Sequence, residues 1–341
     1  MIARSAAEAS NPGRADSIVA CTIGDEQFAL RGADTCEIAR AEVVRRSAGP
    51  DGAVGALYVG RERVSVYPLA AALGRRAAAG GGSQPGGNHV VVTRGAGRMI
   101  GWLIDRIARP ALGEAAHVIP LPSIVGSPAN RWFEGLVQIG DRSLLLLSPP
   151  HLDPRAPAPT SAPDDGLDAF AAAPAGLSDD AGSPLVLLFS SAAFPDCRAT
   201  RFALSARRIA AVVRAQPVTV VPGSAPHVTG VIIWRGVAVP VIDSHLEADR
   251  SVAGQRDRLV VARCGGSLNG ALVAFPIGAD VTLHAPTRAD HQVDDAGEAP
   301  HVVGVFDVGH DRVALLDLDA ALECMSARHD DRRVEMRETR T

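Results

Sequence analysis

Short apolar runs separated by turn-forming residues are the dominant pattern along the chain. Runs bounded by Gly, Pro or Asp lie at 64–67, 89–93, 259–262 and 312–316. Because they are short and rich in Val, Leu and Ile, they predict β-strands. Glycine-containing segments that separate such runs lie at 94–98, 139–142 and 308–312. These segments predict hairpin connections, since glycine supplies the positive φ of tight turns.

Helical patterns are sparse by comparison. The best candidates are 33–45, 209–214 and a charged stretch from Leu318 to about Arg337. Many short strands at close spacing are typical of small barrels or sandwiches. The sequence therefore predicts a mainly β fold with few short helices.

The same landmarks occur in both halves of the chain. The first half has Phe28-Ala29-Leu30 followed by Gly55, Gly101 and Gly135, and the second has Phe202-Ala203-Leu204 followed by Gly230, Gly270 and Gly304. The spacing from Gly101 to Gly135 equals the spacing from Gly270 to Gly304. We interpret this repetition as a duplication. The main length difference falls in 77–88, where insertion into a surface loop is expected.

A segment dense in Pro, Ala, Gly and Asp, 149–184, separates the two halves and lacks the apolar periodicity of a folded element. Within it, 167–173 has the composition for one helical turn that docks elsewhere. A chain of 341 residues also suits two domains. The predicted organisation is a disordered N-terminus 1–16, a first domain 17–150, a linker 151–184, a second domain 185–325 and a charged tail 326–341.

The composition of the chain argues against several classes of partner and of enzyme. The net charge of −4 provides no basic field, so neither nucleic acid nor an anionic membrane is an expected partner, and protein partners are the default. The chain contains no lysine, which excludes a P-loop, a Schiff-base enzyme and a protein kinase. The five cysteines are scattered without C-x-x-C spacing, which predicts reduced thiols rather than disulfides or a zinc site.

Catalytic motifs are weak. The glycines at 95, 97 and 101 depart from G-x-G-x-x-G, Ser267 is out of nucleophile-elbow spacing, and adjacency in Asp243-Ser244-His245 does not make a triad. We therefore predict no catalytic residue, cofactor or metal. The N-terminus lacks the apolar core of a signal peptide and no apolar run reaches roughly 18 residues, which predicts a cytoplasmic protein without direct membrane insertion.

The segment 221–246, VPGSAPHVTGVIIWRGVAVPVIDSHL, combines a Pro-Gly-x-x-Pro turn, a glycine entering a strand, an apolar-Arg-Gly turn and a Pro-Val-x-Asp exit. With this signature the chain resembles the CheW family. The resemblance continues through RLVVARCGGSLNGALV and HVVGVFDVGHDRVALLDLDAAL, and covers about 185–325. Residues 17–150 resemble the family more weakly, chiefly through GWLIDRI and EGLVQIGDRSLLLL.

The resemblance implies that each domain is a pair of five-stranded SH3-like β-barrels with no active site. Members of the family bind the cytoplasmic tip of chemoreceptors and the CheW-like regulatory domain of a CheA-type histidine kinase. The expected function is thus a non-catalytic scaffold that couples the two in chemosensory signalling, recruited to membrane-associated receptor arrays. The alternative is a degenerate regulator or decoy that caps or retargets such arrays in a non-motility pathway.

The resemblance also nominates partner-binding residues in the second domain. The turn arginine falls on Arg235, and the surrounding signature positions are Gly230, Trp234, Gly236, Pro240 and Asp243. An arginine on a tight turn can meet a partner's carboxylate or brace a loop carbonyl of its own chain, and both roles stay open. Trp234 and Trp132 are each either an interface anchor or a core residue.

The first domain departs from the signature turn, because Gly60 stands where the arginine is expected and Arg61 where the glycine is expected. It keeps two acidic residues typical of the family, Glu37 and Asp105, whose counterparts we align as Ala211 and Ala274. The chain is thus expected to contain two unequal binding modules. We hypothesise that the two domains bind different partners.

Overall fold

The structure is a computed structural model, and it describes residues 17–47, 49, 51–74, 87–95, 97–108, 117–126, 129–139, 142–152, 185–191, 201–225, 227–242, 257–265, 270–286, 292–293 and 301–323. The predicted N-terminal segment, most of the linker with its patch 167–173, and the C-terminal tail lie outside these residues. Asp243 and Ser267 lie outside them too.

The first domain contains two β-sheets. Its strands are β1 Ile18–Ile23, β2 Glu26–Arg31, β3 Thr35–Arg40, β4 Arg45–Arg46, β5 Gly55–Val59, β6 Glu62–Pro68, β7 His89–Gly95, β8 Arg98–Ile104, β9 Arg106–Ile107, β10 Val118–Ile119, β11 Phe133–Ile139 and β12 Arg142–Leu147. Sheet A has the order β10-β11-β12-β2-β1-β9, and sheet B has the order β3-β7-β8-β6-β5-β4. Two single-turn helices accompany them, α1 Leu69–Ala72 and α2 Ala129–Trp132.

The second domain repeats this arrangement. Its strands are β13 Val186–Phe189, β14 Arg201–Ser205, β15 Ile209–Arg214, β16 Val228–Trp234, β17 Val237–Ile242, β18 Arg258–Arg263, β19 Leu272–Ile277, β20 Val281–His284, β21 Gln292–Val293, β22 Val302–Val308 and β23 Asp311–Leu316. Sheet C has the order β20-β13-β14-β23-β22-β21, and sheet D has the order β15-β18-β19-β17-β16.

Matching parallel contacts establish the duplication. β12 runs parallel to β2 in sheet A, as β23 does to β14 in sheet C. β8 runs parallel to β6 in sheet B, as β19 does to β17 in sheet D. The predicted mainly β fold of two SH3-like units per domain is confirmed. Among the described residues, three of the four sheets have six strands and the fourth has five.

The predicted strands are all present, as β6, β7, β18 and β23. The helix predictions for 33–45 and 209–214 are wrong, because these segments form β3 and β15, which pair with β7 and β18. Ala, Ile and Val suit either structure locally, and pairing within a sheet overrode the weak helical preference. The third predicted helix is present over 318–323, its remainder lying outside the described residues.

The strand register shows that one pair of glycines matched between the two halves of the sequence is not structurally equivalent. Gly101 pairs with Val92 and lies beside Val66, whereas Ala274 pairs with Val261 and lies beside Val241. Gly101 is therefore equivalent to Ala274, and not to Gly270. The β7–β8 connection beyond the Arg94–Met99 pair spans 95–98, but the β18–β19 connection beyond Arg263–Leu272 spans 264–271, which is four residues longer.

Each sheet packs one face into its own small apolar cluster. In sheet A that cluster is Ile18, Ala29, Val137, Leu144 and Leu146, and in sheet D it is Ile232, Val239, Val241, Leu259, Val261 and Ala274. The opposite faces of the two sheets in a domain share a larger cluster. Aliphatic side chains dominate these clusters.

Candidate partner-binding surfaces

The signature turn lies at the tip of the β16–β17 hairpin. Trp234 pairs with Val237, so Arg235 and Gly236 form a two-residue connection. Their φ angles are 51° and 76°, the pattern of a type I′ turn, which matches the right-handed twist of the strands. Arg235 is the one non-glycine residue with positive φ among the described residues. This left-handed conformation costs an L-residue roughly 1–2 kcal/mol. Arg235 therefore occupies a turn position that glycine would adopt with less strain.

The Arg235 side chain is exposed and stacks on its neighbour. Its guanidinium carbon lies 4.8 Å from the centre of the Trp234 ring, a cation–π contact. Within the described part of the chain, Arg235 makes no hydrogen bond or ion pair. Trp234 is half-buried and packs against the apolar cluster of sheet D, so it both fills the core and supports the arginine.

Two other signature residues shape the hairpin from inside. Gly230 forms a β-bulge opposite Val241, with φ of 157°, and a Cβ there would collide with the backbone carbonyl of Thr219. Pro240 is buried in β17 opposite Val231. Both residues are buried, so their effect is on the shape of the hairpin that presents Arg235.

The outer face of the β16–β17 hairpin is covered by the first domain. Val221, Val231 and Ala238 belong to the large apolar cluster of the first domain, and Ile233 packs against it. The Ala225 amide donates a hydrogen bond of 2.9 Å to the Val125 carbonyl across the same boundary. The two domains therefore make an apolar contact through one side of this hairpin.

A groove runs beside this contact. From the first domain it is lined by Gln27, Gln138 and Arg142, and from the second by Pro217, Val218 and Ile233. Both walls mix polar and apolar residues, since the first domain also contributes Leu144 and the second also contributes Gln216. The domain contact therefore has a mixed rim around its apolar centre.

The equivalent hairpin of the first domain, β5–β6, is built differently. Val59 pairs with Glu62, so Gly60 and Arg61 occupy the turn positions of Arg235 and Gly236, as the sequence alignment predicted. Gly60 has φ of 61° and Arg61 does not have positive φ. A glycine at the first position alone is typical of a type II′ turn, and the exchange of Arg and Gly therefore changes the turn type.

The outer faces of the two hairpins also differ in chemistry. Tyr58 and Arg63 occupy the positions of Ile233 and Ala238. Tyr58 is 56% exposed, whereas Ala238 is 4% exposed. Tyr58 and Arg63 were not among the residues predicted from the sequence, although strand alternation, which directs both away from the side of the core-facing Val64, could have identified them as outward-facing.

The acidic residues nominated in the first domain lie on separate elements. Glu37 is exposed on β3, just after a bulge between Thr35 and Glu37. The matching bulge between Ile209 and Ala211 confirms that Ala211 is the counterpart of Glu37. Within the described residues, no hydrogen bond or ion pair joins Glu37 or Asp105 to Arg235.

Asp105 braces the β1–β2 turn. Its Oδ2 accepts a hydrogen bond of 2.7 Å from the amide of Gly24, and its own amide donates to the Thr22 carbonyl. The corresponding backbone bond in the second domain runs from Gly278 to Ser190, so Gly278 is the counterpart of Asp105, and the alignment with Ala274 is wrong.

Replacing Asp105 with Ala is expected to lower the free energy of unfolding of the first domain by about 1 kcal/mol, because the Gly24 amide loses its acceptor. Asp105→Asn keeps an acceptor oxygen and should lose less. Urea denaturation of the full chain measures both. Unchanged stability of Asp105→Ala, combined with weakened partner binding, would instead make Asp105 a contact residue.

Two buried cysteines are poor candidates for chemistry. Burial raises the pKa of the Cys21 thiol to about 12, and burial, with Asp319 nearby, raises that of Cys264 to about 12. Thiols with such values stay protonated at neutral pH and are weak nucleophiles. In the described ranges, His, Cys, Asp and Glu form no cluster suited to a metal ion, and no helix is long and apolar enough to cross a membrane.

Comparisons with known proteins identify the family to which this architecture belongs. A family model described as the CheW-like domain matches residues 17–154 and 196–324. One matching solved structure is the scaffolding protein TtCheW from Thermoanaerobacter tengcongensis, with 16% identity and a TM-score of 0.34, covering 40% of this chain and 91% of that one. The curated proteins contain no match. Because the two family matches span more than half of the sequence, the chain belongs to the CheW-like domain family and carries two of its domains.

Proposed function

We propose that the chain is a non-catalytic adaptor that couples chemoreceptors to a CheA-type histidine kinase, acting in the cytoplasm at membrane-associated receptor arrays. Membership of the CheW-like family supports this role. The observation that carries it is the exposed Arg235, held on a left-handed turn with no hydrogen-bond acceptor among the described residues. A guanidinium presented in this way suits a partner's carboxylate better than an internal brace.

In this proposal the tip of the β16–β17 hairpin is one interface, with Arg235 and Trp234 in contact with the partner. Gly230, Gly236 and Pro240 hold the hairpin in shape, and Asp243 is proposed to close it as the sequence signature suggests. The first domain supplies a second interface, for which Glu37 and Asp105 remain candidates. The two domains would then engage different partners.

The experiment is a kinase assay with purified receptor cytoplasmic fragment, CheA-type kinase and full-length chain. An adaptor raises receptor-dependent autophosphorylation of the kinase, and titrating the chain should show this increase. A decrease would support the alternative, a decoy that caps or retargets arrays. Absence of binding to both receptor and kinase contradicts both functions.

Arg235→Asn is expected to weaken binding of one of these two proteins by roughly tenfold or more, since a charged contact at an interface centre is lost. Asparagine tolerates the left-handed conformation, so thermal unfolding should shift by only a few degrees. Calorimetry of binding and unfolding measures both quantities. A large loss of stability with unchanged binding would favour the internal brace.

A further inference from the structure

The contact between the two domains joins two different surfaces of the repeated fold. The first domain contributes the end of sheet A at the β11–β12 turn, where Gln138 and Arg142 line the groove. The second contributes the outer face of the β16–β17 hairpin, with Ile233 in the groove and Ala238 paired with it and 4% exposed. Because the two surfaces are unlike, one further copy of each stays unused after two domains have joined.

The unused hairpin face lies in the first domain. Tyr58 and Arg63 pair directly across the β5–β6 hairpin and occupy the positions of Ile233 and Ala238. Tyr58 is 56% exposed, and the guanidinium carbon of Arg45 on β4 lies 5.8 Å from the centre of its ring. We call Arg45, Tyr58 and Arg63 the open hairpin face, and all three residues are exposed.

The unused sheet end lies in the second domain, at the β22–β23 turn of sheet C. Strand register places Asp307 at the position of Gln138 and Asp311 at the position of Arg142. Asp307 is exposed and forms no ion pair among the described residues. Asp311 lies 3.3 Å from Arg201, and its side chain is still 48% exposed. We call Asp307 and Asp311 the acidic tip.

The two unused surfaces differ from the joined ones in a complementary way. The hairpin face is apolar where the domains meet and carries arginines where it is open, whereas the sheet end exchanges Gln138 and Arg142 for two aspartates. An arginine retained at the position of Asp311 would repel the arginines of the open hairpin face, but a carboxylate attracts them. Guanidinium groups pair well with carboxylates, and tyrosine provides apolar contact in interfaces. This charge complementarity selects the acidic tip of another copy as the occupant of the open hairpin face.

We propose that the open hairpin face of one copy of the chain docks on the acidic tip of a second copy, in the manner in which the two domains meet within each chain. Each copy has one open face and one acidic tip, so association is head to tail and extends beyond a dimer into a ring or an open chain. The contact depends on exposed charges and forms at high protein concentration, which leaves the open hairpin face accessible in the monomer. This self-association goes beyond the adaptor role and requires neither receptor nor kinase.

Sedimentation velocity of the full-length chain over a wide range of concentrations tests the proposal. The unaltered chain should associate as its concentration rises, and less at about 300 mM than at about 50 mM salt, since salt screens exposed charges. Arg63→Glu and, separately, Asp307→Arg should each weaken association by at least about tenfold. Thermal unfolding of both variants should shift by no more than a few degrees, because both side chains are exposed.

Mixing the two variants is the decisive step. An equimolar mixture should associate although neither variant does so alone, because the intact tip of the Arg63→Glu chain meets the intact face of the Asp307→Arg chain. Arg106→Glu is the matched control, since it reverses one exposed arginine on β9 and should associate as the unaltered chain does.

Three results would overturn the inference: an unaltered chain that stays monomeric at every concentration, association that persists in both variants, or a mixture that stays monomeric. None of these results bears on receptor-dependent stimulation of the kinase, so the proposed function is tested separately from self-association.

Discussion

Replacing Gly230 with Ala should lower the free energy of unfolding of the second domain by at least about 3 kcal/mol. The backbone φ of 157° is one that L-residues rarely adopt, at a cost of about 1–3 kcal/mol. The new Cβ would also collide with the Thr219 carbonyl and the Val218 side chain. Because Thr219 is bonded to Val231 through both backbone groups, it cannot move away without losing these bonds. Chemical denaturation of the full chain measures the loss.

Gly236→Ala is the control for this prediction. Gly236 also has positive φ, 76°, but a Cβ there has no neighbour within 4 Å. Its cost should be limited to the conformational term of roughly 1–2 kcal/mol. Equal losses for the two variants would show that the bulge at Gly230 does not have the close packing described above.

Replacing Ala238 with Arg is expected to separate the two domains. Ala238 is 4% exposed on the outer face of the β16–β17 hairpin, whereas its counterpart Arg63 is an exposed arginine in the same fold. The barrel itself therefore accepts arginine at this position, and the cost arises from burying a charge against the first domain. We expect a loss of at least about 2 kcal/mol, together with two resolved unfolding transitions in calorimetry.

Arg63→Ala is the reciprocal change. Because Arg63 is exposed and unpaired among the described residues, this variant should unfold as the unaltered chain does, within about 0.5 kcal/mol. A single unchanged transition for Ala238→Arg would mean that the first domain does not pack on this face.

Much of the fold follows from local features of the sequence. Strands such as β7 and β23 combine apolar runs with adjacent turn residues, and both signals lie within a few positions of each other. The signature turn was predictable for the same reason, since Arg235-Gly236 lies between two apolar runs. The hairpin turns follow from glycine at positions that require positive φ, such as Gly97 and Gly309.

Other features depend on contacts between distant segments. Residues 209–214 are compatible with helix or strand, and only pairing with β18 decides between them. The equal glycine spacings suggested Gly101 and Gly270 as counterparts, but Gly270, with φ of 80°, corresponds to the turn residue Gly97, which has the same φ. From Ala274, the true counterpart of Gly101, to Gly304 the chain is four residues shorter than from Gly101 to Gly135, and Gly270 precedes Ala274 by four residues, so the two spacings agree by coincidence.

The candidate site was predictable only in part. Arg235 was identified from the signature, and its left-handed conformation and stacking on Trp234 add the physical reason for its exposure. The coverage of Ala238 by the first domain was not predictable, because it arises from packing between domains. The exposure of Tyr58 and Arg63 becomes informative only by comparison with the covered face of the β16–β17 hairpin.

Site-specific labelling tests the central claim, that two equivalent hairpin faces are covered in one domain and open in the other. Ala238→Cys and Arg63→Cys are introduced separately into the full-length chain and treated with a maleimide, and labelling at each position is followed by peptide mass spectrometry. The account predicts fast labelling at position 63 and labelling at least about tenfold slower at position 238, limited by local opening. Equal labelling rates at the two positions would contradict it.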